Sequence, residues 1–320
     1  MPSADWPPGL EDCCRKWLGA EPYESIFLAG GVSRVIGLRL SDGREVVVRI
    51  RRPEPRVYGC VQAQRHLWTS GYPCPEPLAG PSRFHGELAT AESYVVGGEK
   101  LAPTIASAEL YAHALAELVR LAPAPDAITP LDPPPFWAWW DYPGAETWAW
   151  QSAAERALAV ERGWPRRELT PELAWLEDLA VRTRARLSTF NAPPVIGHVD
   201  WWVDNLRWID GRLHVVHDWD SLACQPEAII CGFGATIFAE SLDHWVQANL
   251  AQSEAFICGY QRARGRRWTR EEREVCRAAG LWHNSAAISA AAANGTLAAR
   301  AELLHSELPE RLRLAGIPSN

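Results

Sequence analysis

Lysine is nearly absent from this chain of 320 residues. Of its 32 Lys and Arg residues only Lys16 and Lys100 are lysines, so any chemistry that needs an ammonium must use one of those two. Cysteine is sparse as well. There are eight, with Cys13 and Cys14 adjacent and the rest scattered without metal-ligand spacing. That excludes a disulfide-built scaffold and reads as reduced thiols in a cytosolic protein. No run of eighteen apolar residues exists, which excludes a helical membrane span. The opening MPSADWPPGLEDCC has neither a basic n-region nor an apolar h-region, so a cytoplasmic location is expected rather than export by signal peptide. Positive charge is in deficit, at a formal net −7, which argues against a nucleic-acid binder. The one basic cluster, QRARGRRWTR ending at Arg270, runs into Glu271, Glu272 and Glu274 with Thr269 placed to cap a helix. It reads as a solvated helix approach.

What is present is ordinary for a globular protein, with 47% hydrophobic and 22% charged residues and length enough for two lobes. SRVIGLRL (33–40) and EVVVRIRR (45–52) are β-rich runs separated by SDGR, whose Asp-Gly signals a hairpin. SIFLAGGVS suggests a strand ending at Gly30-Gly31. Residues 56–70 read as a helix stopped by GYPCPEP, and FHGELATAESYVV returns to strand-like composition before GGEK. Beyond this, residues 106–122 have helical apolar spacing. A proline-rich connector, the tryptophan-dense FWAWWDYPGAETWAW and a second helix over 171–190 follow. The chain is mostly helix beyond about 235. The expectation is an α+β fold. A small antiparallel β lobe with one helix (1–95) is joined by a hinge near 92–100 to a larger, mainly helical lobe (96–320).

The densest polar stretch is GHVDWWVDN, Gly197 to Asn205. LRWI and RLHVVHD flank Asp210-Gly211 and should form a hairpin with a two-residue turn. In that register Asn205 faces Val216, and Asp218 projects from the same face two residues further on. Such diagonal neighbours lie roughly 7–8 Å apart between backbones, which lets an amide oxygen and a carboxylate grip one Mg2+ that takes further ligands from phosphates and water. The spacing His198-x-Asp200-x4-Asn205, then Asp218, is that of a phosphotransferase catalytic loop. There an aspartate accepts the proton of a substrate hydroxyl, while the asparagine and the later aspartate hold metal. The plain alternative is that these residues cap a turn and decorate a hairpin. Two other classes stay open. One is a pseudokinase that binds ligand without turnover. The other is a metal-dependent hydrolase built on His198, Asp200, His217 and Asp218.

These motifs resemble the aminoglycoside phosphotransferase and choline kinase family, which has a protein-kinase-like fold. The family's HGDxxxxN appears as HVDWWVDN, and its later "IDW" strand end as HDWDS. LAGGVSRVIGLRL resembles the nucleotide-covering hairpin, SGYPCPEPL the turn after the small-lobe helix and SYVVGGE the hinge. The resemblance implies a kinase that uses Mg2+ and ATP or GTP to phosphorylate a hydroxyl of a small molecule, without nucleic-acid or membrane partners. It implies Asp200 as catalytic base, and Asn205 and Asp218 as metal ligands. Gly30, Gly31 and Ser33 would lie over the phosphates, and backbone groups of Ser93 and Val95 would meet the purine.

The chain departs from the family pattern in three places. Val199 replaces the glycine of HGD. Arg49 of VVVRI stands where many relatives place a phosphate-binding lysine; a guanidinium can hold phosphate bidentately but is bulkier. RVYGCVQAQRHLW offers Cys60, Gln62 and Gln64 where relatives place a partner glutamate. Together these changes imply either a rewired phosphate clamp or a silent pseudoenzyme, and Arg49 could also be an ordinary surface arginine. Arg51 shares its strand face by parity and is its rival. Glycines 30 and 31 could serve backbone geometry alone. Trp137, Trp139, Trp140, Trp148 and Trp150 are core by default or an aromatic wall for a cationic or ring-bearing acceptor, a pocket that one of Trp201 and Trp202 is expected to face. Asp220 either faces that pocket or caps the next turn. His66, His85, His214, His244 and His283 show no ligand spacing.

Overall fold

The computed structural model describes residues 6–30, 33–141, 174–241, 247–291 and 297–319, without the side chains of Phe136, 286–291 and 297–299. Gly31, Trp148, Trp150 and His244 therefore lie outside the described residues.

The first lobe is one antiparallel sheet. Its strands are β1 (Pro22–Gly30), β2 (Arg34–Leu40), β3 (Glu45–Arg51), β4 (Pro77–Phe84) and β5 (Glu87–Ser93), in the spatial order β1-β2-β3-β5-β4. Gly43, at φ 86°, turns the chain between β2 and β3, as the Asp-Gly signal suggested. Strand alternation then sorts the side chains of β3. Val46, Val48 and Ile50 are buried in a core with Leu38, Ala89 and Ala91, whereas Arg49 and Arg51 project from the opposite face.

Two helices serve this sheet, one more than expected. Helix α1 (Leu10–Leu18) places Leu10, Cys14 and Leu18 on one face at four-residue spacing and buries them in that core. Helix α2 (Arg56–Thr69) covers the arginine face, where Val57, Cys60, Val61 and Gln64 line a crevice with Arg49, Arg51, Thr90 and Glu92. The first helix is short and carries four charges and two cysteines, so its apolar stripe is only three residues wide.

The chain leaves β5 through Tyr94 to Glu99, with Gly97 and Gly98 at φ 94° and 79°. It is fastened by paired backbone bonds between Glu99 and Trp208 (2.8 and 2.9 Å). The second lobe contains α3 (Ile105–Leu121), α4 (Ala174–Ser188), β6 (Pro194–His198), β7 (Leu206–Ile209), β8 (Arg212–Val216), β9 (Leu222–Pro226), α5 (Glu227–Ile237), α6 (Leu250–Arg264), α7 (Arg270–Ala291) and α8 (Leu297–Leu314). Capping boxes start α3 at Thr104 and α6 at Asn249. Helix α3 packs on α6, and α5 and α4 pack on α7, enclosing a core that includes Tyr111, Trp201, Phe233, Phe256 and Trp282.

Four of the five arginines in the basic cluster, Arg262, Arg264, Arg266 and Arg270, form ion pairs. Arg264 meets Glu227 at 2.6 Å, Arg266 meets Glu272 at 2.7 Å, and Thr269 caps α7 through the amide of Glu272. All eight cysteines are free thiols. No helix among the described residues is long and apolar enough to cross a membrane.

Candidate active site

The site is assembled where two hairpin-like units meet under the sheet. Strands β6 and β9 pair from Pro194↔Pro226 to His198↔Leu222, which sets the loop after His198 beside the segment that precedes β9. Strands β7 and β8 form the expected hairpin. Asp210 (φ 49°) and Gly211 (φ 72°) supply the two positive φ angles that a tight hairpin turn of this type requires. The register differs from expectation beyond the turn. Ile209 faces Arg212, but an irregularity between Arg207 and Trp208 shifts the ladder, so Leu206 rather than Asn205 faces Val216. Asn205 lies in a single 3-10 turn, Val203–Asn205. Its carbonyl accepts from the His217 amide at 2.8 Å.

His198 holds the two units together. Its Nδ1 accepts from the Asp200 amide (3.2 Å), which leaves Nε2 to donate toward the carbonyls of His217 and Asp218 (3.1 Å each). Burial holds its pKa down at about 4, so the ring is neutral. Both nitrogens are engaged with backbone, so His198 cannot ligate a metal. Among the described residues no three His, Cys, Asp or Glu side chains gather as a metal-holding group. The hydrolase reading loses its centre.

Asp200 is half-buried in the loop. Its Oδ2 accepts from Asn205 Nδ2 at 3.0 Å, and the same Nδ2 reaches its carbonyl at 2.9 Å. Its Oδ1 takes no hydrogen bond among the described residues. Burial pushes the Asp200 carboxyl well above its usual range, the nearby Asp218 charge adds to this, and the Asn205 bond opposes both. Asn205 spends only Nδ2, so its oxygen remains an unused acceptor, the atom type a hard cation takes. Asp218 adopts φ 67°, a left-handed conformation that aspartate tolerates better than most residues. Its Oδ2 accepts from the Ser221 hydroxyl (3.0 Å) and its Oδ1 from Arg49 Nη1 (2.7 Å). Burial and Asp220 raise its pKa to about 6 against the pull of Arg49. Each carboxylate oxygen keeps a second lone pair, so Asn205 Oδ1 and Asp218 fit a divalent cation that takes its other ligands from elsewhere.

Arg49 is no surface residue. Its side chain is 12% exposed and spans toward three acids, namely Asp218, Glu92 (Nε to Oε1, 3.5 Å) and Asp220 (3.9 Å). Arg51, the rival on the same face, is committed elsewhere, to Asp220 at 2.6 Å. Those two arginines pull the Asp220 carboxyl below its usual range despite burial. Arg56 donates to the Asp220 carbonyl (2.7 Å). Asp220 thus faces the sheet rather than an acceptor pocket. Helix α2 offers no acid to Arg49; Glu92 of β5 lies against it instead, and Gln64 of α2 donates to Glu92 at 2.8 Å.

Gly30 ends β1 opposite Arg34. Its backbone is not left-handed, and a Cβ there would meet nothing within 4 Å. The fold itself does not require a glycine at that point. Ser33 lies half-buried just before β2. The Ser93 amide is taken by Glu76 O (2.9 Å), whereas Val95 makes no hydrogen bond among the described residues. Lys100 pairs with Asp204 and Lys16 is exposed on α1, so neither lysine replaces Arg49. Trp201 is fully buried and donates to Tyr111 O (3.1 Å), and Trp140 donates to Gln225 (3.0 Å). Both are core residues, and Trp202 is the half-buried member of the loop pair.

The model of the phosphotransferase enzyme family matches residues 26–270, from β1 through this loop to the start of α7. The chain belongs to that family. As a phosphotransferase-family chain it is a small-molecule kinase in class, and its architecture recurs in solved members. It is similar to the amicoumacin kinase hAmiN in complex with AMP-PNP, Ca2+ and Ami (TM-score 0.60, 9% identity, covering 97% of this chain and 96% of that one). It is also similar to a thermostable mutant of aminoglycoside phosphotransferase APH(4)-Ia in its apo form (0.57, 14%, 97% and 100%). A choline/ethanolamine kinase family protein from Mesorhizobium loti is a third (0.56, 16%, 95% and 98%). At these identities the likeness is one of fold. No curated protein sequence is detectably similar to the chain.

Proposed function

We propose that this phosphotransferase moves the γ-phosphoryl group of ATP or GTP to a hydroxyl of a small molecule, with Asp200 as the base. The observation that carries the reading is the division of labour at Asp200. One oxygen is fixed by Asn205, and the other takes no bond from the described residues. A base needs that arrangement, with one anchored oxygen and one open to the hydroxyl proton. Asp200 is held above the usual carboxylate range partly by Asp218, so positive charge placed on Asp218 strengthens the ionised, basic form.

Asn205 and Asp218 would hold Mg2+, which screens the phosphate oxygens when bound. Gly30 leaves open room over the phosphates, with Ser33 just before β2, and Arg49 reaches them from β3. The backbone of Ser93 and Val95 meets the purine. The division at residues 95 and 96 separates nucleotide binding from the catalytic loop and acceptor site, where half-buried Trp202 offers an aromatic face to a cationic or ring-bearing acceptor. AMP-PNP and Ca2+ bound to the amicoumacin kinase support a nucleotide-plus-divalent-cation site in this fold. The competing reading is a chain that binds nucleotide without turnover. The observation on its side is that Arg49 occupies Asp218 Oδ1.

The test is a screen of aminoglycosides, amino alcohols and sugars with γ-labelled ATP, run on wild type and Asp200→Asn. Label should pass to at least one acceptor. In Asp200→Asn transfer should fall by roughly 10²–10⁴-fold, the usual share of acid–base catalysis, with nucleotide affinity kept. Binding without label transfer to any acceptor favours the competing reading. Equal transfer by both proteins removes Asp200 from the base role.

A further inference from the structure

Glu92 is a buried carboxylate, 7% exposed, on the sheet face that looks toward α2. In the pairing of β3 with β5, Arg49 lies opposite Thr90, so Glu92, two residues on, shares its face. A buried acid must be paired or hydrogen-bonded. Glu92 Oε2 accepts from Gln64 Nε2 at 2.8 Å, and the same amide nitrogen donates to Pro75 O at 3.0 Å. Oε1 is turned to Arg49, 3.5 Å from Nε, short of a hydrogen bond. Arg49 Nε is correspondingly a buried N–H without a partner. The arginine is thus held at its tip by Asp218 while the donor nearest its backbone is left unsatisfied beside a fixed acid.

We propose that Glu92, oriented by Gln64, is the positioning residue for Arg49, drawing it from Asp218 onto the nucleotide phosphates. The inference rests on the reading of this cleft as a nucleotide site. A shift of Arg49 toward Glu92 satisfies Nε and releases Asp218 Oδ1 in one movement, leaving the Nη donors for phosphate. The chemistry of the side chain explains why the acid lies on the strand. A lysine carries donors only at its tip, so an acid that steadies it can come from a facing helix. A guanidinium also donates from Nε, closer to the backbone, and an acid on the neighbouring strand reaches that atom while α2 contributes only a neutral amide.

The experiment is calorimetric titration of Mg2+ and AMP-PNP into wild type, Glu92→Gln, Arg49→Ala and the double variant. Glu92→Gln keeps the shape and the bond from Gln64 but removes the charge. It should weaken binding roughly tenfold, the scale of one lost charge-assisted bond. In the Arg49→Ala background the same change should have no further effect, because Glu92 acts through Arg49. A merely structural role would add its loss in both backgrounds. Wild-type affinity in Glu92→Gln, or additive losses in the double variant, would overturn the proposal. If Glu92→Gln folds poorly, Gln64→Ala is the second variant, with a smaller loss that also vanishes with Arg49; an undiminished loss there overturns the proposal equally. Wild type taking up no AMP-PNP at all would refute the nucleotide reading itself.

Discussion

At the scale of single residues the site is a balance of buried charges. Arg49 meets Asp218 and Glu92, Arg51 meets Asp220, and Arg56 holds the Asp220 backbone carbonyl. Arg49→Lys should therefore not restore wild-type nucleotide use, although Arg49→Ala should weaken it about tenfold or more. An ammonium cannot meet Asp218 at one end and Glu92 from its stem. Steady-state titration of ATP on both variants checks this, and full recovery by lysine would show that only a point charge is needed. Arg51→Ala belongs to stability instead. It leaves Asp220 buried without its 2.6 Å partner, and breaking such a pair costs roughly 3–5 kcal/mol. Urea unfolding should register that loss; an unchanged midpoint would mean that Arg49 and water replace the contact.

At the scale of elements, two glycines separate a structural from a functional reason for the same residue. Gly98 in the hinge has φ 79°, and an added Cβ would lie 2.8 Å from Arg207 Cβ, pressing the hinge off β7. Gly98→Ala should cost about 1–3 kcal/mol in stability, through strain and displacement. Gly30 at the end of β1 faces open space. Gly30→Ala should therefore leave stability within about 0.5 kcal/mol and raise the Michaelis constant for ATP. Unfolding curves and ATP titrations on the two variants give a crossed result if both readings hold. An unaltered ATP constant in Gly30→Ala would remove that glycine from the phosphate site. The β7–β8 hairpin makes a related point. Its turn was legible because Asp-Gly has few alternatives. Its register was not, since an irregularity inside the ladder changes which residue faces Val216 without leaving a signature in composition.

At the scale of the whole molecule there are two cores, the larger of which reaches across the hinge to Cys60, Ala63 and Leu67 of α2, and buried histidines link the fold to pH. His283 packs in the helical lobe, edge-on to Phe233, and burial with the nearby Arg300 charge lowers its pKa from 6.5 to about 3. The unfolded chain binds that proton more readily. The contribution of neutral His283 is complete above about pH 6.5 and is lost as pH falls below it. His198 and His217, both near 4, act in the same direction. The raised acids Asp200 and Asp218 act in the opposite direction, Asp218 below about pH 6, so the test is a difference measurement. Between pH 6.5 and 5 the stability of wild type should fall relative to His283→Gln by up to about 1.4 kcal/mol per pH unit. Parallel urea midpoints for the two proteins over that range would show that His283 is not held neutral.

By itself the sequence determined strands β1, β2, β3, β5, β7 and β8, the long helices and the two hairpin turns, because each rests on local rules: apolar period, and positive φ at Asp-Gly and Gly43. Strands β4, β6 and β9 and the short α1 escaped it. It also showed that no lysine was available for the third strand. Only the tertiary structure decided where the countercharge of Arg49 comes from. Glu92 and Gln64 are 28 residues apart and meet at 2.8 Å, and Arg49 and Asp218 are 169 apart and meet at 2.7 Å. Burial, which turns Arg51 and Asp220 into a structural pair and Trp201 into core, is likewise a property of packing. An ionic contact between distant segments leaves no periodic trace along the chain, because its geometry is set by how β3, β5 and α2 stack and not by the residues beside either partner.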